Sequence, residues 1–445
     1  MSLLLTILLA AALVIVLAAF GLCMANLALY RPPPELDAEG AAGRAEAAGV
    51  DGNEVGISVC VPARNEAANI EPCVRSLLRQ RHRSIEVLLY DDQSADATPA
   101  IIERLAAEDA RVRRVETVPL PEGWNGKQWG CDRMGRAARG PWLLFTDADV
   151  RFEPECLART LAELRRCDSA SRAAAPAEGA GDRPVSAGGQ LPADSGADAA
   201  ARAPRSVALL STFPRQVTGS IGEALVVPLI HFILLSYLPL ARMRRTIDPA
   251  TSAGCGQFLF VRRDAWERAG GHAAFRSSMH DGIMLPRAIR RAGFHSDLFD
   301  GTDLSSVRMY RGFRQTWRGF SKNAFEGLGS LGLLIVVTAL HVVGHLFPWA
   351  FLVWAASARE ATTAQWILGG TAAAVPLVQR QILAARFRQS RVAALVHPLG
   401  IALMTAIQWW SWWLDRTGRR AWKGRTTGPA GADRERKAIA EADPS

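Results

Sequence analysis

The sequence predicts an α/β fold with a mostly parallel sheet, flanked by transmembrane helices on its N-terminal and C-terminal sides. Between residues 56 and 146, apolar runs of strand length alternate with segments of helical spacing, which is typical of parallel strands joined by crossover helices. Apolar runs long enough to cross a bilayer core precede and follow this region. The 445 residues are enough for one large domain together with such helices.

The N-terminal apolar run has the features of a membrane anchor. Residues 1–30 contain no charged side chain, and the first basic residue, Arg31, follows the run. A secretory signal would begin with a positive region and carry a shorter apolar core, so an uncleaved anchor is expected. Three more runs, at 328–356, 364–385 and 392–414, predict C-terminal transmembrane helices, with buried helices of a soluble core as the alternative.

Charge and cysteine content limit the classes of partner. The formal net charge is +9, but no nucleic-acid-binding motif accompanies it, so no nucleic-acid partner is expected. The basic run at 416–425 follows an apolar run, where anionic lipid headgroups are the expected contact. Seven cysteines without a CxxC pair indicate neither a disulfide framework nor a zinc site, which suits a reducing cytoplasmic face.

These features predict a multi-pass protein of the cell (inner) membrane whose α/β domain faces the cytoplasm. With three C-terminal spans, the basic run at 416–425 would then lie outside, against the positive-inside tendency. A re-entrant segment would resolve this conflict, and Gly344, His345 and Pro348 interrupt the first C-terminal run.

The segments of the α/β region are assigned in chain order from their spacing. Ligands of open parallel sheets bind beyond the carboxyl ends of the strands, so the residues just after each strand matter most. The predicted strands are 56–62, 85–90, 112–118 and 141–146, and the predicted helices are 68–80, 97–108 and 127–139.

Composition sets the domain boundaries. Residues 167–205 are rich in Ala, Gly, Pro, Ser and Asp and lack aromatic residues, so a disordered insertion is predicted before the domain resumes at 207–216. Residues 223–245 are apolar and then basic, which favours an interfacial helix or, equally, a core helix. The predicted organisation is an anchor at 1–30, a linker at 31–52, the α/β domain at 53–325, C-terminal transmembrane helices at 326–415, and a basic then polar tail at 416–445.

Acidic side chains follow two of the predicted strands. Asp91 and Asp92 come directly after the second strand and are able to accept hydrogen bonds from a base and a ribose. Asp147 and Asp149 follow the fourth strand, where two like charges indicate a cation such as Mg²⁺ or Mn²⁺. Such a cation would also neutralise the charge that develops on a diphosphate leaving group.

Four motifs together resemble the family 2 glycosyltransferases, membrane-attached enzymes with the Rossmann-like GT-A fold. They are "PARNEAANIEPCVRSLLRQ", "DDQSADAT", "LPEGWNGKQWGC" and "FTDADV". The resemblance covers 56–325 apart from the insertion, reappears in "WKGR" at 422–425, and is most similar to bacterial members that act on carotenoid acids or are associated with hopanoids. It implies transfer of a hexose from a UDP- or GDP-sugar, with inversion and a divalent metal.

The resemblance also implies roles for individual residues near the donor. Lys127 would lie near the donor phosphates, although an ordinary surface lysine is the alternative. Asp147 and Asp149 match the metal motif, with Asp147 also at the donor. The positions that match the nucleotide-binding segments are Pro62, Ala63, Arg64, Glu66, Asp91 and Asp92.

The stretch 251–294 matches the region around the catalytic carboxylate. Asp281 would be the general base that takes the proton of the acceptor hydroxyl. Many relatives have Glu-Asp here, whereas this chain has His280 before Asp281, which should lower the pKa of the base. Gly254 and Gly256 would allow close approach of the backbone to the acceptor, or simply form a turn. Gln257 is able to hydrogen-bond the sugar.

A further basic segment precedes the first C-terminal run. Gln315 and Arg318 resemble the QxxRW element of processive family members, although Gly319 replaces its tryptophan. Together with Arg314 they are candidates for contact with a diphosphate or the acceptor, and contact with lipid headgroups is the equal alternative.

The expected function is therefore an inverting, metal-dependent glycosyltransferase with a nucleotide-sugar donor and a membrane lipid or polyisoprenoid acceptor. A processive polysaccharide synthase is the nearest alternative, which the altered QxxRW element and the few spans disfavour. A non-catalytic membrane scaffold is disfavoured by the presence of Asp149 and Asp281. A transporter is disfavoured because the apolar runs are expected to lack intramembrane charges.

Overall fold

The structure is a computed structural model that describes residues 2–36, 56–173, 206–358, 360–422 and 425–426. Most of the predicted linker, insertion and tail lies outside these residues. The predicted start of the insertion at residue 167 is wrong, because residues 167–173 continue the helix Cys156–Ala173. Residues 174–205 lie outside the described residues.

The α/β region contains the alternating elements expected from the sequence. The strands are β1 (Ile57–Ala63), β2 (Ile85–Asp91), β3 (Val112–Arg114), β4 (Trp142–Phe145), β5 (Val150–Phe152), β6 (Val207–Ser211), β7 (Arg215–Gln216), β8 (Leu259–Arg262), β9 (His295–Leu298), β10 (Ser305–Val307), β11 (Ala421–Trp422) and β12 (Arg425–Thr426). The helices up to α10 are α1 (Ser2–Leu29), α2 (Ile70–Leu78), α3 (Thr98–Glu108), α4 (Gly126–Ala137), α5 (Cys156–Ala173), α6 (Ile221–Val226), α7 (Leu229–Tyr237), α8 (Leu240–Arg245), α9 (Arg263–Arg268) and α10 (Asp281–Arg291).

The remaining helices form the C-terminal part of the chain. They are α11 (Phe313–Ser321), α12 (Ala324–Leu328), α13 (Leu331–Leu340), α14 (Phe347–Ala358), α15 (Thr363–Arg386), α16 (Arg391–Leu395) and α17 (His397–Arg416).

The main sheet has seven strands in the order β3-β2-β1-β4-β8-β6-β9. The pairs β2–β3, β1–β2, β1–β4 and β6–β9 are parallel, whereas β8 is antiparallel to both of its neighbours, β4 and β6. A mostly parallel α/β sheet is therefore confirmed. A second sheet, β5-β10-β7, lies beyond the end of β4.

Both faces of the main sheet are buried, and successive side chains of the central strands point alternately into the two cores. Val59 and Val61 of β1 belong to the core beneath α2, α3 and α5, whereas Cys60 points into the core beneath α4, α9 and α10. Helix α4 packs closely, because a Cβ on its Gly135 would lie 2.7 Å from the ring of Trp266. Helices thus cover the sheet on both sides, as the crossover pattern requires.

Two helices among the described residues are long and apolar enough to cross a membrane, Leu3–Leu29 and Leu331–Ala358. The second helix is continuous, because a π-helical turn at His341–Leu346 joins α13 to α14. Three C-terminal spans are expected from the sequence, whereas in the described part of the chain one C-terminal helix, Leu331–Ala358, has the length and apolarity of a span. The other two apolar runs form α15 and α17, which do not reach the same apolarity.

Helix α15 shows why its run is less apolar than expected. Arg380 lies buried in it and donates hydrogen bonds to the Pro228 carbonyl oxygen at 3.4 Å and to Gln389 Oε1 at 3.2 Å. The adjacent Gln379 donates to Ser236 Oγ at 2.7 Å. The expectation that the runs lack charged side chains is therefore wrong.

The segment 223–245 forms three short helices, α6 to α8, instead of one interfacial helix. Their apolar side chains, such as Phe232 and Leu235, are buried together with side chains of α1, α15 and α17. Asn26 of α1 fixes the end of this segment, since its side chain donates to the carbonyl oxygens of Leu235 at 2.8 Å and Leu238 at 2.6 Å. The core alternative describes this segment better.

Glu223 joins α6 to the chain that leaves the second sheet. Its buried carboxylate accepts hydrogen bonds from Gly219 N at 2.7 Å and Gly312 N at 2.6 Å, and it pairs with Arg308 at 3.2 Å. Burial acts to raise the pKa of Glu223, but Arg308, these amides and Ser220 lower it to about 2. The ionised carboxylate therefore holds the start of α11 in place.

We expect Glu223→Gln to lower the free energy of unfolding by about 1.5–3 kcal/mol at pH 7, because charge-assisted hydrogen bonds are lost. A carboxylate with a lowered pKa stabilises the fold above its ordinary pKa, and this contribution is lost as pH falls toward about 2. The difference in melting temperature between the two proteins in detergent should therefore shrink from pH 6 to roughly pH 3. An equal difference at every pH would contradict this account.

Candidate active site

The loops after β1 and β2 lock onto each other at the carboxyl edge of the sheet. Asn65 and Gln93 both have positive φ angles, 51° and 54°. Asn65 N donates to Ser94 Oγ at 2.9 Å, and Asn65 Oδ1 accepts from Ala95 N at 2.8 Å. These local bonds keep two residues in a conformation that non-glycine residues rarely adopt, so the rim of the sheet is well defined.

The residues predicted to bind the nucleotide lie on this rim. Arg64 Nη1 donates to the Asp92 carbonyl oxygen at 2.5 Å and lies 3.8 Å from Asp92 Oδ2. Asp91 is buried and accepts from Ser94 N at 3.2 Å, and Glu66 N donates to Thr98 Oγ1 at 2.8 Å. Pro62 and Ala63, also predicted here, are the last residues of β1 and pair in register with Tyr90 and Asp91.

Lys127 connects two of the predicted acidic residues. Asn125 caps α4 by accepting a hydrogen bond from Lys127 N at 2.9 Å, which places the lysine in the first turn of the helix. Its Nζ lies 2.6 Å from Asp147 Oδ1 and 2.8 Å from Asp281 Oδ2. The structure therefore brings the start of α4, the loop after β4 and the start of α10 to one point.

The ion pairs shift the ionisation of both partners. Burial acts to lower the pKa of Lys127, but Asp147 and Asp281 hold it well above its usual range. Burial acts to raise the pKa of Asp281, but the ammonium of Lys127, with smaller contributions from His272 and His280, lowers it. Lys127 and Asp281 are therefore both charged at neutral pH. The direction for Asp281 matches the expectation, although its main cause is Lys127.

Asp149 lies beside this pair without a partner for one of its oxygens. Its Oδ1 is buried and makes no hydrogen bond. Burial, followed by the charges of Asp147 and Glu66, raises the pKa of Asp149 to about 7. In the described part of the chain, no three His, Cys, Asp or Glu side chains form a metal cage. An oxygen-liganded cation held by two carboxylates and by substrate phosphates fits this arrangement.

Three glycines surround Asp281. A Cβ on Gly256 would collide with the carboxylate of Asp281, and a Cβ on Gly282 would lie 2.7 Å from the Gly254 carbonyl oxygen. The predicted close approach at Gly254 and Gly256 is therefore an approach to Asp281 and its helix. Gln257 is buried beside them, and its carbonyl oxygen accepts from Thr146 Oγ1 at 2.7 Å.

The candidates on α11 do not join this group. The side chains of Arg314, Gln315 and Arg318 are exposed, and Gln315 Oε1 accepts a hydrogen bond from Arg311 N at 2.8 Å. Among the described residues, no contact joins these three side chains to the acidic site. The likeness to the QxxRW element suggested Gln315 and Arg318, and the basic character of the segment suggested Arg314, with headgroup contact as the equal alternative.

Tyr310 is a side chain near the candidate site that the sequence analysis did not identify. A Cβ on Gly319 would collide with its ring, so the space that the tryptophan of QxxRW would need is filled by Tyr310. Burial, then the charges of Asp149 and Asp147, raises the pKa of the Tyr310 phenol, which places this side chain near the acidic pair. No local pattern in the sequence marks Tyr310, because Asp147 and Asp149 come from a distant segment of the chain.

Comparison with known proteins supports the sequence motifs. The chain is 33 % identical over 126 residues to glycosyltransferase AglD of Haloferax volcanii, covering 27 % of this chain and 19 % of that protein. It is 21 % identical to the 4,4'-diaponeurosporenoate glycosyltransferase of Staphylococcus aureus over 84 % of this chain and 88 % of that protein. The matches span only 19 %, 26 % and 30 % of the length of the first three curated relatives.

A solved structure shares low identity with the chain. The mannosyltransferase PcManGT of Pyrobaculum calidifontis, solved in complex with GDP-Man and Mn²⁺, aligns with a TM-score of 0.47 and 18 % identity, covering 90 % of this chain and 99 % of that one. At the sequence level, the model "Glycosyl transferase family 2" matches residues 58–187, which include β1 to β5 and the acidic residues after β2 and β4. The chain therefore contains a glycosyl transferase family 2 domain.

Proposed function

We propose that the protein is an inverting, divalent-metal-dependent glycosyltransferase that moves a hexose from a UDP- or GDP-sugar to a membrane lipid or polyisoprenoid acceptor. The observation that carries the proposal is the meeting of Lys127 with Asp147 and Asp281 at the carboxyl edge of a family 2 domain, next to Asp149, whose buried Oδ1 makes no hydrogen bond.

The donor binds along the rim formed by the loops after β1 and β2. Asp91 and Asp92 accept hydrogen bonds from the base and the ribose, and Arg64, Glu66, Pro62 and Ala63 form the adjoining wall. The diphosphate points toward Lys127, whose ammonium is already fixed by two carboxylates. A preorganised positive charge at this position stabilises the negative charge that develops on the leaving group.

Asp147 and Asp149 hold Mg²⁺ or Mn²⁺ in this proposal. The support is the donor set: two carboxylates one residue apart, with Asp149 Oδ1 buried and unpartnered. When bound, the metal supplies further neutralisation of the diphosphate. Lys127 already pairs with Asp147, so it keeps that carboxylate oriented toward the donor.

Asp281 is the general base. Its carboxylate is ionised at neutral pH and lies at the first position of α10, with Gly254 and Gly256 leaving room for it. It accepts the proton of the acceptor hydroxyl as that oxygen attacks the anomeric carbon, and a single displacement inverts the configuration.

The acceptor is a lipid, and the domain lies on the cytoplasmic side of the membrane. The support is the two long apolar helices, Leu3–Leu29 and Leu331–Ala358, which pack with the α/β domain through α6 to α8. The alignment over most of the chain with an enzyme named for 4,4'-diaponeurosporenoate supports an acceptor of this class. In this proposal, lipid headgroups are the contact of the exposed α11 candidates Arg314, Gln315 and Arg318.

We expect membranes containing the protein to transfer radiolabel from one member of a panel of UDP- and GDP-sugars into extractable lipid. EDTA should abolish the label and Mg²⁺ or Mn²⁺ should restore it. Asp281→Asn should reduce transfer by about 10²–10⁴-fold, because proton transfer by a placed base contributes about this much. Lipid labelling that persists in EDTA would contradict the metal, and no labelled lipid from any donor would contradict the function.

We expect Lys127→Ala to lower kcat/KM for the donor by about 10²–10³-fold, since one preorganised charge at a reacting group contributes about this much. Lys127→Arg should recover only part of the rate, because a guanidinium does not fit between two carboxylates arranged for an ammonium. Steady-state kinetics with purified protein measure both effects. Arg139→Ala, an exposed residue just beyond the same helix, is the matched control. A Lys127→Ala rate equal to that of Arg139→Ala would contradict this role.

A further inference from the structure

The three residues before Asp281, here called the base loop (278–280), are clasped from two sides. Gln128 of α4 donates from Nε2 to the Ser278 carbonyl oxygen at 3.2 Å. From the other side, Glu326 of α12 accepts a hydrogen bond from Ser278 Oγ, and Met279 N donates to its two oxygens at 3.2 and 3.3 Å. The loop that leads into the proposed base thus depends on a carboxylate that lies 48 residues beyond Ser278 and 47 residues beyond Met279.

The same carboxylate is held by the C-terminal end of the described chain. Arg420 pairs through Nη2 with Glu326, donates from Nε to the Lys322 carbonyl oxygen at 3.1 Å, and pairs through Nη1 with Asp415 at 2.7 Å. The side chains of Glu326 and Arg420 are only 19 % and 14 % exposed. Such partly buried, multiply bonded pairs are held more firmly than exposed ion pairs.

Helix α12 is also fixed to α17 by a backbone contact. Phe325 N donates to Ser411 Oγ at 3.0 Å, one residue before Glu326. Asp415, which pairs with Arg420, lies in the last turn of the same helix α17. The position of Glu326 is therefore set by the C-terminal helices and not by the sheet that carries the metal motif.

We propose that Glu326, held in place by Arg420, is a positioning residue that fixes the base loop and thereby the carboxylate of Asp281. The proposal rests on the proposed function, in which Asp281 is the base. Glu326 touches neither donor nor acceptor. It acts by holding Ser278 and Met279, so that Asp281 stays between Lys127 and the acceptor hydroxyl.

The kinetic test uses the full chain, purified in detergent and supplied with the lipid extract that accepts label. Glu326→Ala should lower kcat by about 10²-fold, the size of effect expected when a reacting group is misplaced by roughly 1 Å, while the donor KM stays within about 2-fold. Glu326→Gln, which keeps an acceptor for Ser278 and Met279, should recover at least about 10-fold of the loss.

The role of Arg420 is tested by a double variant. Arg420→Ala should lower kcat less than Glu326→Ala does, and Glu326→Ala combined with Arg420→Ala should equal Glu326→Ala alone, because Arg420 acts through Glu326. The matched control is Arg416→Ala, which removes an exposed arginine at the end of α17 and should retain the wild-type kcat. A multiplicative effect of the two substitutions would overturn the assigned order of action.

Hydrogen exchange measures the order of the base loop independently of sugar transfer. Peptides that include 278–284 should exchange faster in Glu326→Ala than in wild type, and their exchange rate in Arg416→Ala should equal that of wild type. Helices α2 and α3 should be protected equally in wild type and in both variants. An unchanged rate in these peptides, or an unchanged kcat in Glu326→Ala when wild type transfers sugar, would overturn the positioning role. An inactive wild type, together with faster exchange in Glu326→Ala, would contradict the proposed function while supporting the contact by which Glu326 holds the base loop.

Discussion

The contact between the Lys127 ammonium and the carboxylates of Asp147 and Asp281 is the constraint on which the site depends. The two carboxylates come from segments 134 residues apart, and they would repel each other across a partly buried space without a cation between them. The lysine is fixed in turn by the Asn125 cap of α4, whose backbone also bonds to Arg276. One ammonium therefore fixes the loop after β4 relative to the start of α10.

Glycine is needed where these segments meet because α10 begins against the backbone of the chain that leads into β8. The Gly254 carbonyl oxygen and Gly256 N would lie 2.7 and 2.8 Å from a Cβ on Gly282. A side chain at Gly256 would collide with the carboxylate of Asp281. The distance of Asp281 from Lys127 thus depends on backbone packing as much as on charge. A larger side chain at Gly282 would displace α10 through its backbone contacts, and one at Gly256 would displace the carboxylate of Asp281 itself, so either change would separate the ion pair.

The sequence was sufficient for the part of the site whose position follows from strand ends. Asp91, Asp147 and Lys127 lie near the expected edge because alternating strands and helices place those segments there. It was not sufficient where position depends on long-range packing: β8 is a four-residue strand between antiparallel neighbours, and Tyr310 and Glu326 reach the site from outside the motifs. The apolar run also overstated the apolarity of α15, because it contains Arg380 and Gln379, whose side chains bond to Pro228, just before α7, and to Ser236, within α7.

The helices outside the α/β sheet, namely α1, α6 to α8 and α11 to α17, affect how the proposed acceptor would reach Asp281. Arg386, at the end of α15, pairs with Asp300, which follows β9, and Asn26 of α1 holds the end of α7. The chain that leaves β9 is thus bonded to α15, and α1 is bonded to α7, so the α/β domain is not joined to these helices by a linker alone. Because Glu326 is held by α17 and itself holds the base loop, the C-terminal helices contribute to the position of Asp281. Under the proposed function, a hydroxyl of a lipid acceptor would meet a carboxylate whose position relative to the helices is already fixed, which lowers the entropic cost of orienting the two reactants.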